Sequence, residues 1–259
     1  MKTITFANLT DIGRVRTENQ DAVGKFPADN LDITSPKGQL FIVADGMGGH
    51  AGGREASRLA VETVAKTYFD SPGTIVESLK EAFVAGNKTI YEESLNSPQL
   101  RGMGTTCIAL VFQKDVAYVA HVGDSRLYRI TAKSIEQLTN DHTKVGEMVR
   151  RGIISTEEAE NHPERSMLYR AMGVSARMDF DVMNGIQLGS DEYYLMCTDG
   201  LTGYVGPSEL QEVVTTRPPD EACSLLVEYA NRRGGLDNIT VQIIQVKGDS
   251  FLKSMLRPE

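Results

Sequence analysis

Apolar residues along this chain recur with two different periods. Short apolar or alternating runs mark strands over 4–9, 22–26, 40–44, 105–112, 116–122, 126–130, 135–139, 179–182, 192–197 and 239–246. Four longer segments repeat instead every three to four positions and predict helices. In 54–70 the apolar face is Ala56, Leu59, Ala60, Val64 and Tyr68; in 74–95 it includes Leu79, Phe83 and Ile90. The other two are 208–215 and 220–233, the latter with Ala222, Leu225, Leu226, Tyr229 and Ala230 on one side and Gly234 just past its end. Helices with a single apolar face need a surface to cover, most simply a sheet. Gln113-Lys114-Asp115 and Gly123-Asp124-Ser125 read as turns that join 105–130 into a three-stranded antiparallel meander.

Residues 140–173 break this rhythm. Val145, Met148 and Val149 suggest a short helix ended by Gly152, and Ser155 with Glu158 forms a capping box for another, broken at His162-Pro163. The segment is expected to pack beside the core as an insertion. Residues 248–259 carry no pattern and are expected to be a tail, leaving 1–247 as one domain.

Candidate chemistry concentrates in 39–58. A strand-like run, Leu40 to Ala44, stops at Asp45, and glycines follow at 46, 48, 49, 52 and 53 before a helix begins. The carboxylate is expected at a strand end, with backbone groups able to approach whatever it holds. Asp-Gly is also a hairpin signal, but no second strand follows it. A phosphate-binding loop would need a closing Lys-Ser or Lys-Thr, which is missing, and the dinucleotide spacing is not met. Asp199-Gly200 repeats the arrangement after 193–197, Asp124 follows the strand ending at Val122, and Asp237 precedes 239–246. Strand ends share a rim, and carboxylates gathered there repel one another and are costly to dehydrate. A hard divalent cation relieves both problems, with oxygen-only ligands favouring Mg²⁺ or Mn²⁺ over zinc. Two such ions ~4 Å apart can activate a water and clamp an in-line displacement.

Composition removes several other classes. The 259 residues carry a formal net charge of −8 and no basic patch, which sets nucleic-acid binding aside. The N-terminus lacks the apolar core of a signal peptide and no run is long enough to span a bilayer, so a cytoplasmic protein is expected, with no membrane partner. Cys107, Cys197 and Cys223 sit in apolar surroundings and read as buried structural thiols. His50, His121, His142 and His162 show no zinc spacing.

Seven segments, in order, resemble the metal-dependent serine/threonine protein phosphatases of type 2C, in particular their compact bacterial branch. They are Arg16-Thr17-Glu18-Asn19-Gln20-Asp21, Val43-Ala44-Asp45-Gly46-Met47-Gly48-Gly49-His50, Gly104-Thr105-Thr106, Gly123-Asp124-Ser125-Arg126, Leu138-Thr139-Asn140-Asp141-His142, Thr198-Asp199-Gly200-Leu201 and Asp237-Asn238-Ile239-Thr240. The resemblance spans about residues 3 to 247. It implies an α+β fold: a four-layer α-β-β-α sandwich of two facing antiparallel sheets flanked by helix pairs, with the 140–173 segment as a flap beside the site. It further implies that Asp45 bridges two Mg²⁺ or Mn²⁺ ions, that the Gly46 carbonyl completes one and that Asp199 and Asp237 hold the other. Asp124 would bind a third, weaker ion shared with Asp199. Asp21 would order the water around the ions and Arg16 would grip the phosphate.

The implied reaction is direct attack of metal-activated hydroxide on a phosphate monoester, with no phosphoenzyme. Phosphorylated Ser/Thr proteins would be the substrates, including those of a partner Ser/Thr kinase and the kinase itself, and the chain would act as a monomer. Two positions depart from the pattern. Met47 stands where animal members carry a histidine thought to protonate the leaving group, so a metal-bound water, on the Asp124 ion, is expected to be the acid. Gln20 stands where many members have Glu, and its amide can still orient water. The rival readings are a non-catalytic phosphoprotein-binding module and a Ca²⁺-braced binding sandwich. A serine hydrolase is remote, because no Gly-x-Ser-x-Gly occurs.

Overall fold

The computed structural model describes residues 2–48, 52–160 and 162–248, so all but the first residue of the expected tail lies outside the described residues. One sheet contains β2 (Asp21–Phe26), β3 (Gln39–Met47), β5 (Cys107–Gln113), β6 (Val116–Val122) and β9 (Asp181–Gln187), in that order, with the short β4 (Gly104–Thr105) paired to the end of β3. The other contains β1 (Thr3–Asp11), β11 (Ile239–Lys247), β10 (Glu192–Cys197), β7 (Arg126–Ile130) and β8 (Ile135–Gln137). Every pairing is antiparallel.

Alternation along the strands sorts the apolar residues into three layers. Leu40, Ile42 and Ala44 of β3, with Cys107, Ala109 and Val111 of β5, face α1 (Gly52–Asp70) and α2 (Ile75–Asn96). Leu195 and Cys197 of β10, with Ile239, Val241 and Ile243 of β11, face α6 (Pro207–Thr216) and α7 (Pro219–Arg232). The residues between them in sequence, such as Phe41, Val43, Ile108, Leu110, Tyr194, Met196, Ile244 and Val246, meet between the two sheets. Three apolar seams make four layers, the α-β-β-α sandwich expected. The helix faces read from periodicity are the buried ones: Leu79, Phe83 and Ile90 are fully sealed. At the start of α2, Thr74 and Glu77 form a reciprocal capping box.

Four local expectations are corrected. The meander breaks after its first hairpin. β5 and β6 pair, but Gly123-Asp124-Ser125 carries the chain across to the other sheet, where β7 pairs β10 and β8. The turn residues have hairpin chemistry, yet the open edge of β6 is taken by β9, which is longer than the predicted 179–182. Asp45 is not the last residue of its strand, because β3 continues through Gly46 and Met47 against β4. The predicted strand 105–112 is interrupted at Thr106, whose backbone and hydroxyl both bond Asp45 instead. A four-residue helix, α5 (Asp199–Thr202), begins at the aspartate expected at a strand end; four residues are too few to show a period. In the 140–173 segment, α3 (Lys144–Arg150) is capped by Thr143 and α4 (Thr156–Glu160) by the Ser155–Glu158 box.

Phe83 lies sealed between α2 and the sheet. Phe83→Ala should cost about 3–5 kcal/mol in urea unfolding, with the same denaturant slope as the parent.

Candidate functional site: a carboxylate-lined rim

β2 and β3 set the first pair of acidic groups. Their register places Asp21 directly opposite Asp45. Alternation puts Asp21 on the same face as Val23, and Asp45 on the same face as Phe41 and Val43, so both point between the sheets. Like charges directly opposite one another on an antiparallel pair are destabilising. Asp199 opens α5 just beyond β10, Asp124 lies in the crossover between β6 and β7, and Asp237 comes two residues before β11. The charges of Asp21, Asp199, Asp124 and Asp237 all act on Asp45, and that of Asp237 acts on Asp199. Thus the sequence-predicted aspartates, drawn from five separate segments, do converge on one rim.

Asp21, Asp45, Asp124 and Asp199 are recessed, each keeping part of its surface open to solvent. Loss of water, before any other cause, pushes the Asp21 carboxyl up to about 7 and that of Asp124 up to about 8, with neighbouring carboxylates adding to it. The same causes hold Asp45 well above the ordinary carboxylate range and raise Asp199.

Small polar residues hold the acidic groups in place. Thr198 and Thr240 donate to Oδ2 of Asp21 at 3.0 and 2.7 Å, while its buried Oδ1 has no hydrogen-bond partner among the described residues. Thr106 Oγ1 accepts the Asp45 amide at 2.9 Å and lies 2.7 Å from Ser125 Oγ, tying the Asp45 strand to the Asp124 turn. Thr105 Oγ1 donates to the Asp45 carbonyl at 2.8 Å. Asn238 accepts the Gln20 amide at 2.8 Å and donates at 3.0 Å to the carbonyls of Ile12 and Glu18, pinning the loop that carries Arg16. Sequence reasoning quoted these residues within motifs but assigned them no task. For Ser125, Thr198 and Asn238 the signal was a place beside an aspartate, whereas Thr105 and Thr106 adjoin none, and some of these partners lie about two hundred positions away.

The Asp-Gly repeat has a packing cause. A Cβ on Gly46 would fall 1.9 Å from the Gly53 carbonyl oxygen, and one on Gly200 would fall 1.9 Å from the Asn238 carbonyl oxygen. Only glycine lets the loops of neighbouring acidic groups press together this closely. Arg16 lies at the edge of the rim, half-exposed, with Nη2 2.8 Å from Oδ2 of Asp237. Met47 is half-buried and its methyl sits near Gly104.

The donor set fits hard divalent cations. It is made of carboxylate and carbonyl oxygens, it is open to solvent on one side, and it contains a buried oxygen without a donor and acids that repel one another when ionised. A two-sheet sandwich that gathers such a set at one rim defines a protein built around divalent metal ions. Comparison with known proteins makes the class specific. The family model for protein phosphatase 2C matches residues 14–232. The serine/threonine phosphatase stp of Listeria welshimeri is 36% identical over 242 residues, covering 91% of this chain and 93% of that protein. The crystal structure of the Mycobacterium tuberculosis serine/threonine phosphatase PstP/Ppp superposes with a TM-score of 0.84 at 33% identity, covering 95% of this chain and all of that one. The catalytic domain of PstP in complex with two manganese ions gives a TM-score of 0.80 at 32% identity, over 96% of this chain and all of that one. The chain belongs to the protein phosphatase 2C family.

The raised carboxyls give the metal-free protein a pH signature. At Asp21 and Asp124 the folded chain binds more protons than the unfolded chain from the ordinary carboxylate range up to about 8, whereas burial of neutral His121 acts the other way below about 6.5. The stability the two carboxyls contribute is full below pH ~4 and lost as pH rises through the folded values. In chelator, unfolding free energy should fall by on the order of 3 kcal/mol between pH 5.5 and 8. Millimolar-order Mn²⁺ should flatten that slope, as read by urea midpoints.

Proposed function

We propose that this chain is a metal-dependent serine/threonine phosphoprotein phosphatase. The convergence of Asp21, Asp45, Asp124, Asp199 and Asp237 on one rim carries the reading. Asp45 and the Gly46 carbonyl, with Asp199 and Asp237, are the residues that would hold two Mg²⁺ or Mn²⁺ ions; Asp124 with Asp199 would hold a third. When bound, the ions supply an acidified water and neutralise the phosphoryl oxygens. Asp21, braced by Thr198 and Thr240, is the residue that would order water around the ions.

Arg16 binds the phosphate. Its pairing with Asp237 engages one end of a guanidinium that has five N–H donors, and half-exposure lets the remaining donors face a phosphate dianion. Covalent catalysis by cysteine is disfavoured by the thiols themselves. All three are free and buried, and burial pushes Cys197 and Cys223 up to about 12 and raises Cys107 further. Hydrolysis is therefore direct. The proton for the departing Ser or Thr oxygen comes from water, because the Met47 thioether has none to give.

The substrates are phosphorylated Ser/Thr proteins, among them those of a partner Ser/Thr kinase, and the chain works as a cytoplasmic monomer. No helix among the described residues is long and apolar enough to cross a membrane.

With Mn²⁺, the protein should hydrolyse p-nitrophenyl phosphate and a phosphothreonine peptide. Asp45→Ala and Asp199→Ala should each lower kcat by at least about a thousandfold while far-UV circular dichroism is unchanged. Undiminished turnover in excess chelator would overturn the reading. Arg16→Lys should raise KM for the phosphopeptide about tenfold, since an ammonium cannot reproduce the fork.

A further inference from the structure

One buried polar cluster is left over once the rim is accounted for. It joins His121 on β6, His142 between β8 and α3, and Asp181 on β9, with one ligand atom from each within 4.8 Å of the others. His121 is fully sealed, neither ring nitrogen has a partner in hydrogen-bond geometry among the described residues although backbone groups of Ser125 and Gly123 act on it, and its ring lies 4.8 Å from that of His142 at an interplanar angle of 31°. Two histidines and a carboxylate suit a zinc-type ion, which the sequence spacing had not suggested. They also suit a hydrogen-bonded brace.

The hydrogen bonds separate these readings. The Gly123 amide donates to Nδ1 of His142 at 3.1 Å. A ring nitrogen that accepts carries no proton, so the proton of the neutral imidazole is on Nε2. Nε2 lies 3.2 Å from Oδ2 of Asp181 and donates to it. A cation at Nε2 would require either loss of the only ring proton or loss of the Gly123 bond. Asp181 is further engaged by Arg170, 3.4 Å from its other oxygen. As folded, His142 and Asp181 are satisfied as a brace, and His121 packs its ring against that of His142.

What it braces is the crossover that carries Asp124. The His142 amide donates to the Gly123 carbonyl at 2.9 Å, so main chain and side chain of one residue both hold Gly123. The preceding residue, Asp141, takes Arg126 through Nε at 3.1 Å and Nη2 at 2.7 Å, securing the far side of the same crossover. Asp124 passes between sheets and has no ladder pairing of its own, so these contacts, with Thr106 on Ser125, set its position.

We propose that His142, oriented by Asp181, is a positioning residue for Asp124, acting through the hydrogen bond from the Gly123 amide to its Nδ1. The inference rests on the reading of Asp124 as a cation ligand, and its test separates the two. An Asn side chain places its oxygen where Nδ1 stands, whereas Gln places its polar end where Nε2 stands. His142→Gln and His142→Ala should therefore raise the Mn²⁺ concentration needed to fill the weakest site by about tenfold or more in calorimetric titration. His142→Asn should stay within about twofold of the parent. NMR hydrogen exchange of the Gly123 amide should be fast in the Gln and Ala variants and slow in the parent and Asn variant. In an Asp124→Asn background, His142→Gln should cause no further loss of Mn²⁺ affinity.

Equal impairment by Asn and Gln, or slow Gly123 exchange in every variant, would overturn the brace. So would one additional Zn²⁺ bound per parent chain and lost in Asp181→Asn. If Asp124→Asn alone left Mn²⁺ binding unchanged, the assignment of Asp124 would fall, and with it the catalytic meaning of the brace, even with Gly123 exchange behaving as expected.

Discussion

The opposition of Asp21 and Asp45 across β2 and β3 is the constraint around which the rest of the molecule is arranged. A register that places two carboxylates face to face in a partly dehydrated cleft works against the fold at neutral pH. The register nevertheless persists because β3 is sealed on both faces and β2 packs Ala22 and Phe26 towards the helices and Val23 between the sheets. Leu40, Ile42 and Ala44 are sealed under α1 and α2, and Phe41 and Val43 between the sheets. A one-residue slip of β2 would separate the aspartates but would turn Ala22, Val23 and Phe26 to the wrong side. Apolar burial along the body of the strands thus offsets the electrostatic cost at their ends. The space between the sheets is graded accordingly. Phe41, Phe112 and Tyr194 meet edge to face within it. Thr106, Ser125, Thr198, Thr240 and Gln242 are the buried polar residues nearer the rim.

How far the sequence reveals this depends on which forces act locally. The helix faces were legible because periodicity and caps are local, and they appear as read. Asp45, Asp124, Asp199 and Asp237 were legible as chemistry because each punctuates an apolar run. Arg16 and Asp21 were not, since they sit in a polar segment with no period, and only resemblance to a family singled them out. The crossover at Gly123 was misread for a specific reason. Turn residues specify that a chain bends, not which sheet receives it, and here β9 from more than fifty residues away occupies the edge the meander would have used. The histidine cluster escaped notice for the same reason: His121 and Asp181 are neighbours only through that long-range pairing.

The site's chemistry follows from what its side chains lack as much as from what they have. No thiol is available as a nucleophile, because each is sealed and held protonated by burial. Met47 offers no proton where the family pattern elsewhere offers one. Arg16 brings a fixed positive charge beside Asp237, and its guanidinium also lowers the cost of ionising Asp199. The residues that remain can position, polarise and neutralise, which suits a reaction driven by bound cations and water rather than by a side-chain nucleophile.

The seven motif segments owe their spread along the chain to a division of labour. Thr198 adjoins Asp199 but braces Asp21, and Thr106 adjoins no ligand but ties Asp45 to Ser125. Asn238 adjoins Asp237 and holds the loop of Arg16, while Asp141 and His142 hold the two sides of the Asp124 crossover. Most segments therefore carry an acidic group for one position and a brace for another. Sheets alone could not supply this precision, because Asp124, Asp199 and Asp237 lie beyond strand ends where ladder bonds stop, and only Asp21 and Asp45 sit within a ladder. The braces do, and each closes a loop between segments distant in sequence. Removing one loosens a ligand encoded elsewhere, so the site responds as a unit although no two of its acidic residues are closer than twenty positions in the chain.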